Sequence, residues 1–131
     1  MNAKRITIIL AGVMCMYLVF GGVRCVAAGP AETVRPTLDR LLKAVEANDY
    51  EDFLVNSTDE VKAGLTKQML EGVSGQLSPR MKKGYDCSFL GELKQQGCQV
   101  FLWKMTFKDG NDDILVTLVL KEDKVAGFWL K

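Results

Sequence analysis

Few side chains in this sequence could do chemistry, because histidine, the commonest general base and metal ligand, is absent from all 131 residues. Serine–histidine and cysteine–histidine nucleophile pairs therefore cannot form within one chain. An isomerase-type reaction would need a carboxylate base in a pocket and acid donors opposite it, and Tyr50, Tyr85 and Asp86 are the candidates. Asp86 alternates with apolar neighbours, so we expect it to point to solvent. We predict no catalytic residue, and an enzyme remains the alternative.

The cysteines predict neither a metal site nor a disulfide. Of the four cysteines, Cys15 and Cys25 fall in a leader-like segment, which leaves Cys87 and Cys98. Two separated cysteines do not make a zinc site. The strand register described below places them roughly 20 Å apart at ~3.3 Å per residue, which is beyond disulfide reach. We predict two unpaired cysteines, no metal and no cofactor, since phosphate-loop and dinucleotide motifs are also absent.

Four strands are predicted between Tyr85 and Lys131. Apolar and polar side chains alternate in the first with the two-residue period of a half-buried strand, and the last two are apolar on nearly all of both faces. Asp109–Gly110 and Glu122–Asp123 predict two-residue hairpin turns, and Gly97 fits a first turn of about three residues. These turns give a four-stranded antiparallel meander. The strands cover residues 85–93, 99–107, 113–120 and 124–131.

Matching apolar faces across these turns sets the register, which pairs Phe89 with Trp103 and Val116 with Trp129. One face then carries an aromatic row. Together with a helical tyrosine, this row is predicted to line an apolar pocket for a small molecule. A filled core beneath the helices is the alternative that stays open. The predicted pocket wall consists of Tyr50, Tyr85, Phe89, Phe101, Trp103 and Trp129.

The opposite face is also largely apolar, with Thr117 as the polar exception in the third strand. A large exposed apolar patch usually signals association. We therefore predict a homodimer through this face, while cover by a helix of the same chain stays open. The predicted contact residues are Leu90, Val100, Leu102, Thr117, Val119 and Phe128.

Helices are predicted for most of the chain between Val34 and Gly84. Pro36 suits the first turn of the first helix, which Asn48 ends. Asp49 can cap a short second helix, and Ser57 or Thr58 can cap a third that runs to about Gln76. The first helix has an amphipathic stripe at Leu38, Leu41, Leu42 and Val45. The third has one at Val61, Leu65, Met69, Val73 and Leu77. Helices followed by a meander indicate an α+β fold, with the helices packed on one face of a curved sheet.

The N-terminus has the three parts of a secretory leader, namely Lys4–Arg5, an apolar stretch at 6–23 and the small residues Val26–Ala28. We predict cleavage after Ala28 and a periplasmic or secreted protein. An uncleaved membrane anchor is the alternative, and only that case implies membrane contact. The net charge of +1 comes without a charged block, so no nucleic-acid partner is expected. The predicted divisions are a signal peptide at 1–28, a short linker at 29–33 and a single domain at 34–131.

Three segments resemble small exported bacterial domains of the nuclear-transport-factor-2-like, or cystatin-like, superfamily, which includes ketosteroid isomerase and the SnoaL-like cyclases. The segments are LLKAVEANDYEDFL, TDEVKAGLTKQML and LVTLVLKEDKVAGFWLK. The resemblance implies a curved sheet wrapped by N-terminal helices, a pocket between them and dimers through the outer sheet face. None of the segments is a catalytic signature.

Taken together, these patterns predict an exported, non-catalytic domain that binds a small molecule, a peptide or another protein. An isomerase- or cyclase-like enzyme and a membrane-anchored envelope structural protein are the alternatives. A buried carboxylate facing the aromatic row would favour the enzyme. If side chains fill the space between the curved sheet and the helices, that would count against both ligand binding and catalysis.

Overall fold

The structure is a computed structural model and describes residues 29–131. The predicted signal peptide at 1–28 lies outside the described residues. Within residues 29–131, four helices are followed by a four-stranded antiparallel sheet with its strands in chain order, which confirms the predicted α+β fold. The helices are α1 (Pro30–Ala47), α2 (Tyr50–Leu54), α3 (Asp59–Gly64) and α4 (Lys67–Lys82). The strands are β1 (Tyr85–Gln95), β2 (Cys98–Phe107), β3 (Ile114–Lys121) and β4 (Lys124–Leu130).

Helix α1 begins earlier than the sequence suggests. Pro30 occupies its first turn, where the missing backbone N–H costs no helical hydrogen bond. The predicted linker at 29–33 is therefore wrong, and Pro36 lies inside the helix instead of starting it. Asn48 ends the helix as expected, because it takes a left-handed φ of 55° and its N–H bonds to carbonyls of the last turn.

The predicted third helix is in fact two helices. Helix α3 ends at Gly64 and Leu65 is extended. The Thr66 hydroxyl then accepts a hydrogen bond of 3.2 Å from the backbone N–H of Met69 and starts α4. The break shifts the helical phase, so Met69 and Val73 are exposed although the sequence pattern predicts them inside. The buried residues of α4 are Leu70, Ser74, Leu77, Ser78 and Met81.

The first hairpin turns at Gln96–Gly97, whose φ angles of 52° and 76° define a two-residue left-handed turn. The predicted three-residue loop is therefore wrong, because the extra residue is a bulge at Leu90 inside β1. Before the bulge the register is as predicted, with Phe89 opposite Trp103. Beyond the bulge, each side chain of β1 lies on the face opposite to the predicted one, so Leu93 is on the outer face.

A second bulge, at Ala126, changes the end of the sheet. Trp129 lies opposite Thr117 on the outer face, and Phe128 faces the helices with its ring centroid 5.8 Å from that of Phe53. The sequence pattern predicts the reverse for both aromatic residues, so both face assignments are wrong. One inserted residue is enough to exchange the faces of everything beyond it, because side chains alternate with a period of two.

The core lies between α1 and the inner face of the sheet. Trp103 is 1% exposed, and its ring is nearly parallel to that of Phe101 at 5.9 Å. The register between β2 and β3 is as predicted, with Trp103 opposite Val116. The apolar stripe predicted for the first helix packs here, and its members Leu38, Leu41, Leu42 and Val45 are fully buried.

An ion pair joins the helical layer to the loop between β2 and β3. The predicted two-residue turn at Asp109–Gly110 is wrong, because β2 ends at Phe107 and β3 begins only at Ile114, which leaves a longer loop. The Asp109 side chain is 5% exposed and accepts a 2.7 Å hydrogen bond from Arg80 Nε of α4. The Arg80 guanidinium also lies over the Phe107 ring at 3.8 Å. The Arg80 hydrogen bond, helped by the backbone N–H of Asn111, lowers the pKa of Asp109 to about 2.

The two tryptophans test the assignment of the two faces. We expect Trp103→Ala to lower the free energy of unfolding by about 3–5 kcal/mol, because it empties a packed core position. Trp129→Ala is the matched control and should cost the single chain about 1 kcal/mol or less, since its ring lies on an exposed face of that chain. Chemical denaturation of the full-length protein, diluted until it is monomeric, measures both. Equal losses would indicate that both rings lie in the core and would contradict the bulge at Ala126.

Acid unfolding tests the Arg80–Asp109 pair. The lowered pKa means that the Asp109 carboxylate stabilises the fold above the ordinary aspartate pKa of about 4, and that this contribution is lost as pH falls from about 4 toward about 2. We expect Asp109→Asn to be less stable at neutral pH and to lose less stability across that interval. Melting temperatures measured from pH 2 to pH 6 provide the comparison. Asp112→Asn keeps the backbone carbonyl that Arg80 contacts, so it should follow the wild-type curve.

Candidate functional site

Most residues of the predicted pocket wall do not meet around a cavity. Phe101 and Trp103 are both 1% exposed and fill the core. Trp129 lies on the other side of the sheet. Phe89 sits at the open edge of β1, with its ring edge-to-face against Trp103 at 5.6 Å. At the aromatic row, the space between the sheet and the helices is therefore filled by the protein's own side chains. This packing counts against an apolar ligand there.

The two predicted tyrosines lie apart from one another. The Tyr50 hydroxyl donates a 2.7 Å hydrogen bond to the carbonyl of Leu65, which ties α2 to the break before α4. Tyr85 is half-buried at the start of β1, and burial raises the pKa of its phenol. Tyr50 borders a shallow, mostly polar depression of about 460 Å³. The other residues of that depression are Ala47, Asn48, Asp49, Glu51, Lys67 and Glu71.

The described residues do not place a base for proton transfer at the aromatic row. Asp86 is exposed and pairs with Thr106 on the outer face, as the alternation predicts. Asp109 is shielded from solvent but bound to Arg80, and its lowered pKa keeps it ionised and engaged. Among residues 29–131 the buried polar residues are Ser57, Ser74 and Ser78, so none of them is acidic. Nothing in this part of the chain favours the enzyme alternative.

The two described cysteines are free, as predicted. Cys87 lies on the inner face and Cys98 follows the turn on the outer face. Burial raises the pKa of the Cys87 thiol, with Arg35 acting weakly in the opposite direction. Within residues 29–131 no cluster of acidic or cysteine side chains could hold a metal ion, and no helix is long and apolar enough to cross a bilayer.

The outer face of the sheet carries a continuous group of apolar side chains, which we name the outer apolar surface. Leu93, Leu115 and Trp129 are 39%, 41% and 49% exposed, although large apolar side chains of this kind are usually buried. The helices pack on the opposite face of the sheet, so the described elements leave this surface open. Its members are Leu93, Val100, Leu102, Leu115, Thr117, Val119 and Trp129.

The predicted contact face overlaps this surface in part. Leu90 is the bulge residue at its margin and Phe128 belongs to the core, so neither is central to it. The alternation around Thr117 could have revealed Leu115. Leu93 and Trp129 could not be found in this way, because each lies beyond a bulge that the alternation does not show. The members that both descriptions share are Val100, Leu102, Thr117 and Val119.

Gly127 determines how Trp129 lies on the outer apolar surface. Both residues are on the outer face of β4, and a Cβ atom at Gly127 would overlap the six-membered ring of Trp129. The ring therefore leans along its own strand and covers the glycine, as aromatic side chains often do beside glycines in sheets. This orientation makes the surface broad and low at its β4 edge instead of leaving a projecting side chain.

The charges around the outer apolar surface are mainly basic. They are placed on the outer face by the strand pairing, and all are exposed. At one end lie Lys104, Lys131 and Asp86, and at the other lie Lys121 and Lys124. Exposed charges that lie more than about 8 Å apart are largely screened at physiological ionic strength. The apolar side chains therefore form the centre of this face and the charges form its rim.

Comparison with known proteins adds little about function. No protein-family model matches the chain, and no curated protein matches it. Among solved structures it is similar to an uncharacterized cystatin-fold protein from Novosphingobium aromaticivorans, with 14% identity and a TM-score of 0.38. The similarity covers 73% of this chain and 95% of that one. The α+β architecture rests on the elements described above, and the similarity assigns neither a ligand nor a partner.

Proposed function

We propose that this chain is an exported, non-catalytic interaction domain whose outer apolar surface binds another protein, with a second copy of the chain as the principal partner. The observation that carries this proposal is the joint exposure of Leu93, Leu115 and Trp129 on a face that no described helix covers. Each side chain alone would be unremarkable. A contiguous group of this kind on one sheet face is typical of an association surface.

The shape of this face favours a protein over a small molecule. Val100 is almost fully buried within the sheet, and Leu102, Thr117 and Val119 are half-buried, so the side chains form a low surface without a deep recess. Small-molecule sites are concave and enclose most of their ligand. Phe101 and Trp103, which could have formed such a site, are packed in the core, so an apolar ligand has less support than a protein partner.

Export is supported by the leader pattern in the first 28 residues, where a basic start, an apolar stretch and small residues succeed one another. The proposed location is the periplasm or the exterior. The alternatives are an envelope structural protein held by an uncleaved leader, and an isomerase- or cyclase-like enzyme. The enzyme has the least support, since the described residues hold no buried base near the aromatic row.

The outer-surface contact is tested by Thr117→Arg. Thr117 lies between Leu102 and Trp129 in one cross-strand row, and it is partly exposed, so the arginine should not prevent folding. In a closed contact the new charge would be buried without a partner, at a cost of several kcal/mol. We expect the assembled mass of the full-length protein, as the cell processes it, to fall by half in native mass spectrometry.

The matched control for that experiment is Val55→Arg, since Val55 is 65% exposed and lies outside the sheet. It should leave the mass unchanged. An unaltered mass for Thr117→Arg, with its circular dichroism spectrum also unaltered, would exclude the outer apolar surface as the contact between copies.

Export is tested by the N-terminus of the protein recovered from cells. We expect the full-length chain expressed in a bacterial host to yield a product that begins at Gly29 and is released with the periplasmic or extracellular fraction. Replacing Ala28 with a bulky residue, as in Ala28→Phe, should block cleavage, because signal peptidases require small residues before the cut. Recovery of the wild type with Met1 intact in the membrane fraction would support the uncleaved anchor instead.

A further inference from the structure

We propose that a second copy of this chain also pairs with the open edge of β1, so that two sheets join into one continuous sheet through residues 91–95. This contact shares only Leu93 with the outer apolar surface and does not rest on the function proposed above. It uses backbone groups at the strand edge and the charges of Glu92 and Lys94.

The two edges of the sheet differ in how they are covered. At the β4 edge, residues 56–58 run beside the strand, with the Thr58 N–H bonded to the Val125 carbonyl at 2.9 Å and the Val125 N–H bonded to the Asn56 carbonyl at 2.8 Å. At the β1 edge, the Cys87 carbonyl accepts a hydrogen bond from Arg35 of α1. From Ser88 to Gln95 every residue except Gly91 is exposed. An open edge of this length is a template for another strand.

The turn determines which backbone groups this edge presents. In a two-residue hairpin the residues that flank the turn bond to each other, so Gln95 directs its N–H and carbonyl toward Cys98 in β2. The groups of alternate residues point to opposite sides of a strand. Counting back from Gln95, the N–H and carbonyl groups of Glu92 and Lys94 point away from β2 and are free to bond to another chain.

The charges at these two positions are self-complementary. If two β1 strands pair antiparallel about a two-fold axis at Leu93, Glu92 of each copy lies directly opposite Lys94 of the other. Both pairs are hydrogen-bonded pairs, which gives four backbone hydrogen bonds. Opposite charges facing each other across strands are stabilising. Within one chain, the cross-strand neighbours of Glu92 and Lys94 are Phe101 and Gln99, so neither side chain meets an opposite charge there.

The same axis also brings apolar groups together. Leu93 is 39% exposed in the single chain and would face its own copy across the axis, while the small Gly91 lies opposite Gln95. The contact has natural limits, because the bulge at Leu90 and the turn at Gln96–Gly97 interrupt the regular strand on either side. A short pairing segment bounded in this way allows one partner strand and prevents extended edge association.

Charge exchange tests this pairing, and the Thr117→Arg background removes the outer-surface contact from the measurement. We expect full-length Thr117→Arg protein to remain a dimer by analytical ultracentrifugation. Adding Glu92→Lys places two lysine pairs across the axis, and adding Lys94→Glu places two carboxylate pairs there. Each should weaken the dimer by roughly tenfold or more. Both side chains are exposed and neither forms an ion pair within residues 29–131, so each variant should fold with an unchanged circular dichroism spectrum.

Two combinations provide the decisive outcomes. An equimolar mixture of the Glu92→Lys and Lys94→Glu proteins should form a heterodimer, because each mismatched charge then meets its opposite. The double exchange, Glu92→Lys with Lys94→Glu, should restore the homodimer. A monomeric Thr117→Arg protein, or a dimer that neither single exchange weakens, would overturn the edge pairing. Neither result would affect the outer-surface proposal, which is judged by the change between wild type and Thr117→Arg.

Discussion

The described structure depends on burying one face of a four-stranded sheet beneath a single layer of helices. Trp103 and Phe101 lie at the centre of that contact, and the leucines of α1 cover them. Burial of aromatic and branched side chains is the main favourable term in such a domain. Each strand therefore presents apolar side chains to the helices along the part that they cover, and the remaining features of the sheet adjust to that requirement.

Two bulges are the means of adjustment. The bulge at Leu90 releases the second half of β1 from the core, and the bulge at Ala126 brings Phe128 into it while Trp129 leaves. Each bulge places a large apolar side chain on the outer face, and the one at Ala126 also packs Phe128 against Phe53. The outer apolar surface is thus partly a consequence of how the core is completed. A role in association would explain why these side chains remain apolar when exposure carries no folding benefit.

The polar side chains of Asp109 and Tyr50 are held by partners within the described residues. The shielded carboxylate of Asp109 is committed to Arg80, where it holds α4 against the loop that follows β2. Tyr50 is committed to the carbonyl of Leu65. Groups held by strong internal partners are structural, and a catalytic acid or base needs a pKa near the working pH and access to substrate. What stays uncommitted is the apolar outer face and the backbone at the β1 edge.

The local pattern predicted those features that depend on neighbours in the chain. The helices before the sheet, the helix end at Asn48 and the cap at Asp49, whose carboxylate accepts the Asp52 N–H at 3.0 Å, follow from side chains acting within one turn. The face shared by Trp103 and Phe101 follows from strict alternation within one strand. The predictions of these features were confirmed because no distant contact competes with the local interactions that produce them.

Tertiary packing alone decided the helix break before α4, the bulges and hence the members of the outer face. A one-residue bulge leaves the alternation intact on both sides, so the sequence around Ala126 is equally consistent with Trp129 inside or outside. Only the space beneath the helices distinguishes the two, because it accepts Phe128 against Phe53. The sequence by itself therefore determined the kind and order of the elements, and the fit between layers determined which side chains remained at the surface.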